Sequence, residues 1–357
     1  VEDVELRDFY KGKKVFVTGH TGFKGAWLCW YLKELGAEVT AYSLAPYDRR
    51  GNLFNQTNLG ENVTSIFGDL DDLPKLTKAL VDSKAEIVLH LAAQPLVLTS
   101  YEDPVGTFRS NALGTVHMLE AVRQADSIKS AVIITTDKCY ENKEWEWPYR
   151  ETDELGGYDP YSSSKAMAEI ATSSYYRSFF KDKNIGVATA RAGNVIGGGD
   201  FADYRIVPDI VESILNNEDV TLRHPDSTRP WQHVLDALYG YMLLAMKAYN
   251  EPKEYSLPFN FAPDTSSNYF TVEVITQTFI NILNKGGYKI LESSRRGHEA
   301  KFLRLDSSRA NTMLNWRPRY QTEDAIRVTA EWFKDYIEQK DLREITIAQI
   351  KNHIDTI

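Results

Sequence analysis

The stretch Thr18-Gly19-His20-Thr21-Gly22-Phe23-Lys24-Gly25 decides the fold of this chain. It follows Lys14-Val15-Phe16-Val17, an apolar run suited to a buried parallel strand. It opens into Phe23 to Gly36, where Phe23, Ala26, Trp27, Trp30 and Leu35 recur at helical spacing. Glycines at such a strand-to-helix turn let the backbone approach a pyrophosphate, whose charge is met by free N–H groups at the helix N-terminus. A second string, Tyr161-Ser162-Ser163-Ser164-Lys165, sets a phenol and an amine four residues apart, on one face of a helix. A cation beside a phenol stabilises the phenolate, so the pair is expected to lower the tyrosine pKa toward the working pH. Together the two strings point to nucleotide-dependent redox chemistry.

Working outward, strand-like apolar runs recur at Val15–Thr18, Val39–Ser43, Thr64–Phe67, Ile87–Leu91, Ala131–Thr135 and Val187–Ala190. Helical segments are expected between them at Phe23–Gly36, Leu73–Asp82, Val105–Ala125 and Tyr161–Lys181. That alternation predicts an α/β fold of Rossmann type, a doubly wound parallel sheet with its ligand at the strands' carboxyl ends. The alternation breaks after Asn194-Val195-Ile196-Gly197-Gly198-Gly199. Residues 1–194 are therefore expected to form the dinucleotide-binding domain, including Tyr161 and Lys165. Residues 195–357 are expected to be mainly a smaller substrate lobe, with elements near 230–250 and 266–284 returning to the sheet.

The bulk composition excludes several classes. A content of 43% hydrophobic and 25% charged residues is that of a soluble protein, and no apolar run is long enough to span a bilayer. The net charge of −9 argues against a nucleic-acid partner engaged through a general basic surface, but leaves room for a local basic pocket for a phosphorylated ligand. Two cysteines, Cys29 and Cys139, suggest neither a disulfide framework nor a metal site. With the acidic start Val1-Glu2-Asp3-Val4-Glu5 in place of a secretory signal, the cytoplasm is the expected compartment.

Three further strings close predicted strands: His90-Leu91-Ala92-Ala93-Gln94, Thr135-Thr136-Asp137-Lys138-Cys139-Tyr140, and Arg191-Ala192-Gly193-Asn194-Val195-Ile196-Gly197. Taken in order, the strings resemble the extended short-chain dehydrogenase/reductase family over about residues 13–320. Within it, Thr136-Asp137 followed by an acid/base residue resembles the nucleotide-sugar 4,6-dehydratases. The resemblance is closer to those acting on CDP-glucose, through Thr136 to Asn142, Trp145-Glu146-Trp147, Asp203 to Pro208 and Thr228 to Val234.

This resemblance implies NAD as cofactor, held by Gly19, Thr21, Gly22, Phe23, Lys24, Gly25, Asp69, Leu70, Leu91, Ala92 and Ala93 together with Tyr161 and Lys165. It implies that Tyr161 takes the sugar O4 proton, with Lys165 assisting and Thr136 hydrogen-bonding near O4. Asp137 would protonate the departing C6 hydroxyl. Asn194, Arg205, Arg229 and His298 match positions that grip the sugar nucleotide. It further implies a homodimer or homotetramer and a role in bacterial surface-polysaccharide synthesis.

The sequence departs from the pattern in two places. The expected carboxylate base after Asp137 is Lys138, which acts as a base only if its pKa is depressed; otherwise it steadies an enolate while Glu141 or water takes the C5 proton. The second strand ends Ala41-Tyr42-Ser43-Leu44 without an acid for the adenosine ribose, and Arg49 and Arg50 just beyond would suit a 2′-phosphate; the resemblance still favours NAD. His20 is expected to set an imidazole beside the pyrophosphate turn and weaken cofactor retention. A nucleotide-sugar 4-epimerase and a non-catalytic NAD-binding sensor are the competing functions. Asp137-Lys138 speaks against the first and intact Thr136, Tyr161 and Lys165 against the second.

Overall fold

Val15, Phe16 and Val17 are buried on both faces of a sheet, which is why their run is continuously apolar rather than alternating. The computed structural model describes residues 2–47, 51–222, 224–263, 270–291 and 303–355. Among these residues, one seven-stranded sheet contains β1 (Lys14–Thr18), β2 (Glu38–Ser43), β3 (Thr64–Phe67), β4 (Ile87–His90), β5 (Ser130–Ile134), β6 (Gly186–Ala192) and the strand Pro258–Phe261. Its order is Pro258–Phe261, β6, β5, β4, β1, β2, β3, and every pairing is parallel. Val17 sits level with Ala41 on one side and Leu89 on the other. The chain thus leaves β1 toward β2 and later returns to its other side at β4, which opens a crevice above the carboxyl end of β1.

Helix Phe23–Glu34 has every residue from Gly25 to Leu32 buried, because the sheet lies beneath it and the C-terminal helix Leu342–Asp355 packs over it. The two long helices expected from periodicity are each interrupted. Pro104–Phe108 and Gly114–Gln124 are joined by a π turn at Arg109–Leu113, and Pro160–Tyr175 runs into another at Tyr176–Phe180.

Of the two segments expected to return to the sheet, the one near 230–250 does so and the one near 266–284 does not. Helix Val234–Asn250 packs on β5 and β6, and the strand that joins β6 is Pro258–Phe261. The described part of 266–284 stays with the lobe instead. Phe270–Thr271 pairs with Thr228–Arg229, and helix Val272–Leu283 packs on Ile206–Leu215 and Thr322–Ile337. The apolar face of that helix is covered by other helices, so it has no sheet surface to seek. No helix among the described residues is long and apolar enough to cross a membrane.

Candidate active site

The glycine turn is built by close backbone contact. Gly19 lies at φ +82°, and a Cβ there would sit 2.8 Å from the Ala92 nitrogen on the neighbouring strand end. A Cβ on Gly25 would fall 2.1 Å from the Gly19 carbonyl oxygen. Gly22 differs: its nearest neighbour would be the Gly19 oxygen at 3.4 Å, and the residue is exposed. It is the N-cap of helix Phe23–Glu34, with no capping side chain and no acid in the first turn. The turn therefore offers an open cradle, positive by virtue of its backbone, that fits a pyrophosphate.

The flanking positions are tied to this turn. The Thr18 hydroxyl accepts N–H bonds from Leu91 and Ala92, both 3.1 Å. Its own proton is then free for His90 Nδ1 at 2.8 Å, leaving the imidazole protonated on Nε2. Ala93 follows on the same strand end, and Asn111, within the first π turn, holds Gln94 through both its backbone N–H and its carbonyl. Thr21 Oγ1 lies 2.7 Å from Ser43 Oγ at the end of β2. Asp69 and Leu70 follow β3, where the Asp69 carbonyl accepts from the Tyr42 hydroxyl and the Leu70 carbonyl is met by His117.

His20 corrects the expectation made for it. The imidazole is fully buried and turned away from the cradle, with Nε2 2.6 Å from Ser65 Oγ on β3 and the ring against Phe54 and Phe67. Burial pushes its pKa down to about 4, so the ring is neutral. Arg49, Arg50 and His298 lie outside the described residues.

Thr136, Asp137, Tyr161 and Lys165 converge at the ends of β5 and helix Pro160–Tyr175, all of them buried. The Thr136 hydroxyl donates to Asp137 Oδ1 at 2.9 Å, and Lys138 Nζ lies 3.9 Å from the same oxygen with its side chain partly exposed. Gly193 is the floor under this carboxylate, for a Cβ there would come within 2.1 Å of Oδ2. The expected lowering of the Tyr161 pKa does not occur. Burial pushes the phenol up to about 12, Asp137 and Asp159 add to the rise, and the Thr136 hydrogen bond and the Arg205 charge oppose it. Lys165 directs its ammonium to the Ile134 carbonyl at 3.2 Å, and burial pulls its pKa down to about 8. Glu141, the fallback base, points its carboxylate at the Gly157 N–H.

Of the expected substrate residues, Arg205 reaches this cluster. Its Nη1 lies 2.8 Å from Asp200 Oδ2, and its charge acts on both Tyr161 and Lys24. Asn194 adopts φ +49° and offers its carbonyl to the Gln232 N–H at 3.2 Å, which closes the turn after β6. Arg229 belongs to the lobe, where its guanidinium donates to the Thr228 carbonyl. Two participants, Asp200 and Glu169, escaped sequence reasoning. Asp200 was visible only as an acid five residues before Arg205. Lys24 was expected to contact the cofactor, and burial and the charges of Arg205 and Lys165 hold its amine well below the ordinary lysine range, against Asp137 and Asp200. Glu169, one helical turn beyond Lys165, pairs with Arg191 at 2.8 Å.

The model of the family described as GDP-mannose 4,6 dehydratase matches residues 16–329. The chain is 44% identical to a CDP-glucose 4,6-dehydratase of Salmonella typhimurium over 98% of both chains. It is 31% identical to a dTDP-glucose 4,6-dehydratase of Streptomyces antibioticus over 76% of this chain and 77% of the relative. Among solved structures, the dTDP-glucose 4,6-dehydratase DesIV of Streptomyces venezuelae, crystallised with NAD and TYD bound, superposes with a TM-score of 0.75. That match is 21% identical and covers 91% of this chain and 98% of the other. A strand-end site for a pyrophosphate-bearing ligand and a family match along most of the length meet in one conclusion: the chain belongs to the nucleotide-sugar 4,6-dehydratases, the family described as GDP-mannose 4,6 dehydratase.

Proposed function

We propose that this protein is an NAD-dependent hydro-lyase that converts CDP-D-glucose into CDP-4-keto-6-deoxy-D-glucose and water. The observation that carries the reading is the buried carboxyl group of Asp137 beside Tyr161 and Lys138. Oxidation at C4 alone, as in a 4-epimerase, needs only the tyrosine and its lysine; eliminating water across C5 and C6 needs an acid and a base as well. The choice of CDP-glucose is supported by the relative that is 44% identical over 98% of both chains.

The cradle of Gly19, Gly22 and Gly25 would hold the pyrophosphate of NAD, with Tyr161 and Lys165 at the nicotinamide ribose. When bound, NAD would supply a reversible hydride acceptor for the sugar and a positive ring charge that favours the phenolate. Tyr161 takes the O4 proton, and Thr136 holds O4 in place. The carbonyl created at C4 acidifies the C5–H bond. Asp137 and Lys138 then act as a pair. Asp137 serves as the acid to the C6 oxygen and Lys138 as the base to the C5 proton. Arg205, fixed by Asp200, suits a diphosphate oxygen through its planar fork.

The same reading carries a homodimer or homotetramer working in the cytoplasm. Apolar side chains exposed on neighbouring helices, among them Leu98, Tyr101, Val105, Leu113, Met167 and Ile170, support self-association. Two buried free thiols, Cys29 and Cys139, suit a reducing compartment.

The test is incubation with NAD and CDP-, dTDP-, UDP- and GDP-hexoses, followed by the ultraviolet absorbance of a 4-keto-6-deoxy product in base. CDP-glucose should give product, and Tyr161→Phe should lower kcat by about 10²- to 10⁴-fold with little change in ligand affinity. A C4 epimer in place of the dehydrated product, or no product from any of the four, would sink the proposal.

A further inference from the structure

The acid/base residues lie on a short turn that cannot hold itself. Asp137–Cys139 forms a single 3₁₀ turn, with Thr136 as its cap through a 3.3 Å bond from the Lys138 N–H. What fixes it lies outside the turn. On the upstream side the Thr135 hydroxyl donates to the Glu169 carboxylate. On the downstream side Arg191 Nη1 donates to the Tyr140 hydroxyl at 2.6 Å, and that hydroxyl donates to Asn260 Oδ1 at 2.8 Å. Glu169 and Arg191 are themselves joined, Nη2 to Oε2 at 2.8 Å, with 3% of each side chain exposed. Thr189 adds a 2.7 Å bond to the same carboxylate, and the guanidinium lies 4.9 Å from the centre of the Tyr140 ring.

A buried ion pair is a poor way to gain stability, since apolar residues of similar volume fill the space as well or better. Its connections here are more informative than its energy. Its two partners grip the residues immediately before and after Thr136-Asp137-Lys138-Cys139, and Gly193, two positions beyond Arg191, is the floor beneath the Asp137 carboxylate. The Asn260 side-chain amide continues the chain of bonds to the carbonyls of Tyr149 at 2.9 Å and Asp306 at 3.1 Å. The turn is thus referenced to β6 and to the strand beyond it.

We propose that the Glu169–Arg191 pair, acting through Thr135 and Tyr140, is a positioning device for the acid/base turn, so that water elimination depends on it more than oxidation at C4 does. This rests on the dehydratase reading above. Tyr140→Phe tests it with the least disturbance. The ring keeps its stack on Tyr149, 5.1 Å between centroids, and its place under the guanidinium, losing only the bridging hydroxyl.

Two half-reactions are measured: single-turnover reduction of NAD by CDP-glucose, and release of the 4-keto-6-deoxy product. Product release should fall about 10- to 100-fold, the penalty of a small misplacement of reacting groups. NAD reduction and KM should stay within about threefold of the parent. Thr135→Val, which removes the upstream grip at constant shape, should shift the same ratio in the same direction. Product release within about twofold of the parent in both variants overturns the proposal, as does an equal fall of both half-reactions. A parent that forms no dehydrated product at all overturns the functional reading instead, and that outcome is read on the parent alone.

Discussion

The three glycines of the first turn make different demands, and alanine substitutions should separate them. At Gly25 the added methyl would lie 2.1 Å from the Gly19 oxygen, 2.6 Å from its carbonyl carbon and 2.8 Å from His20 Cα. All three are backbone atoms, so the helix must move away from the turn, an overpacking cost of about 1–3 kcal/mol or more. At Gly22 the nearest atom is 3.4 Å away, and φ −89° with ψ 168° is open to any residue. Alanine there gains about 0.4–1 kcal/mol by restricting the unfolded chain. It loses a similar amount by being a poorer N-cap than glycine. The ligand-free protein should therefore melt near the parent temperature. The methyl instead occupies the space in which a pyrophosphate meets the helix N-terminus. Losing one charge-assisted hydrogen bond there, about 1.5–3 kcal/mol, weakens NAD binding roughly 10- to 150-fold. Denaturation curves without ligand and calorimetric titration with NAD give the two numbers for each variant. Gly25→Ala should fail on the first and Gly22→Ala on the second alone. If Gly22→Ala binds NAD within about twofold of the parent, the pyrophosphate does not lie on this turn and the reasoning fails.

Asp137→Asn and Lys138→Ala should still reduce NAD with CDP-glucose while water elimination stalls. Rapid-quench detection of the 4-keto-glucose intermediate checks this, and loss of NAD reduction in both would remove them from the elimination step. The pH dependence of stability has a definite sign. Burial pushes His20 down to about 4, and His90 and His233 down to about 3, so the unfolded chain takes up protons that the folded one refuses. Stability is then lost as pH falls below the unfolded value of about 6.5, by about 2 kcal/mol per histidine at pH 5. Denaturant titrations at pH 7 and pH 5 that give equal free energies would contradict it.

The strands were legible because a parallel sheet buried on both faces writes itself as short apolar runs, and five of the six expected runs match observed strands to within one residue at each end. The site was legible for a related reason. A parallel sheet brings its carboxyl ends to one edge, so motifs separated by a hundred residues, such as those around Gly22 and Asp137, meet there without any sequence signal of contact. What stayed hidden depends on burial and on single-residue shifts. The π turn at Arg109–Leu113 inserts one residue without disturbing an apolar pattern, yet it is what turns Asn111 toward Gln94 and Ser164. Tyr161 and Lys165 share a helix face as their spacing requires. The spacing says nothing about the desolvation that raises the phenol, nor about the Ile134 carbonyl that receives the ammonium.

Charge shows the same division between what a sequence carries and what a fold assembles. The chain as a whole is negative, with 50 acidic residues against 41 basic ones. Yet Lys24, Lys138, Lys165 and Arg205 gather at one crevice, faced by Asp137 and Asp200. A lysine in the first turn of a helix opposes the dipole there, and two further cations beside it raise the cost. Such an arrangement is unfavourable while the crevice holds only water and becomes favourable when anionic oxygens enter. The opposing overall charge keeps phosphate-rich polymers off the surface while the crevice itself attracts small diphosphates. The depressed Lys24 amine is the measurable sign of that frustration. Binding NAD at a pH between the free and bound pKa values of Lys24 should be accompanied by proton uptake, because the diphosphate restores the ammonium form. Calorimetry of NAD binding in buffers of different ionisation enthalpy reads that uptake directly. Lys24→Met should diminish it. An unchanged uptake in that variant would mean that the cation of the glycine turn does not face the ligand's phosphates.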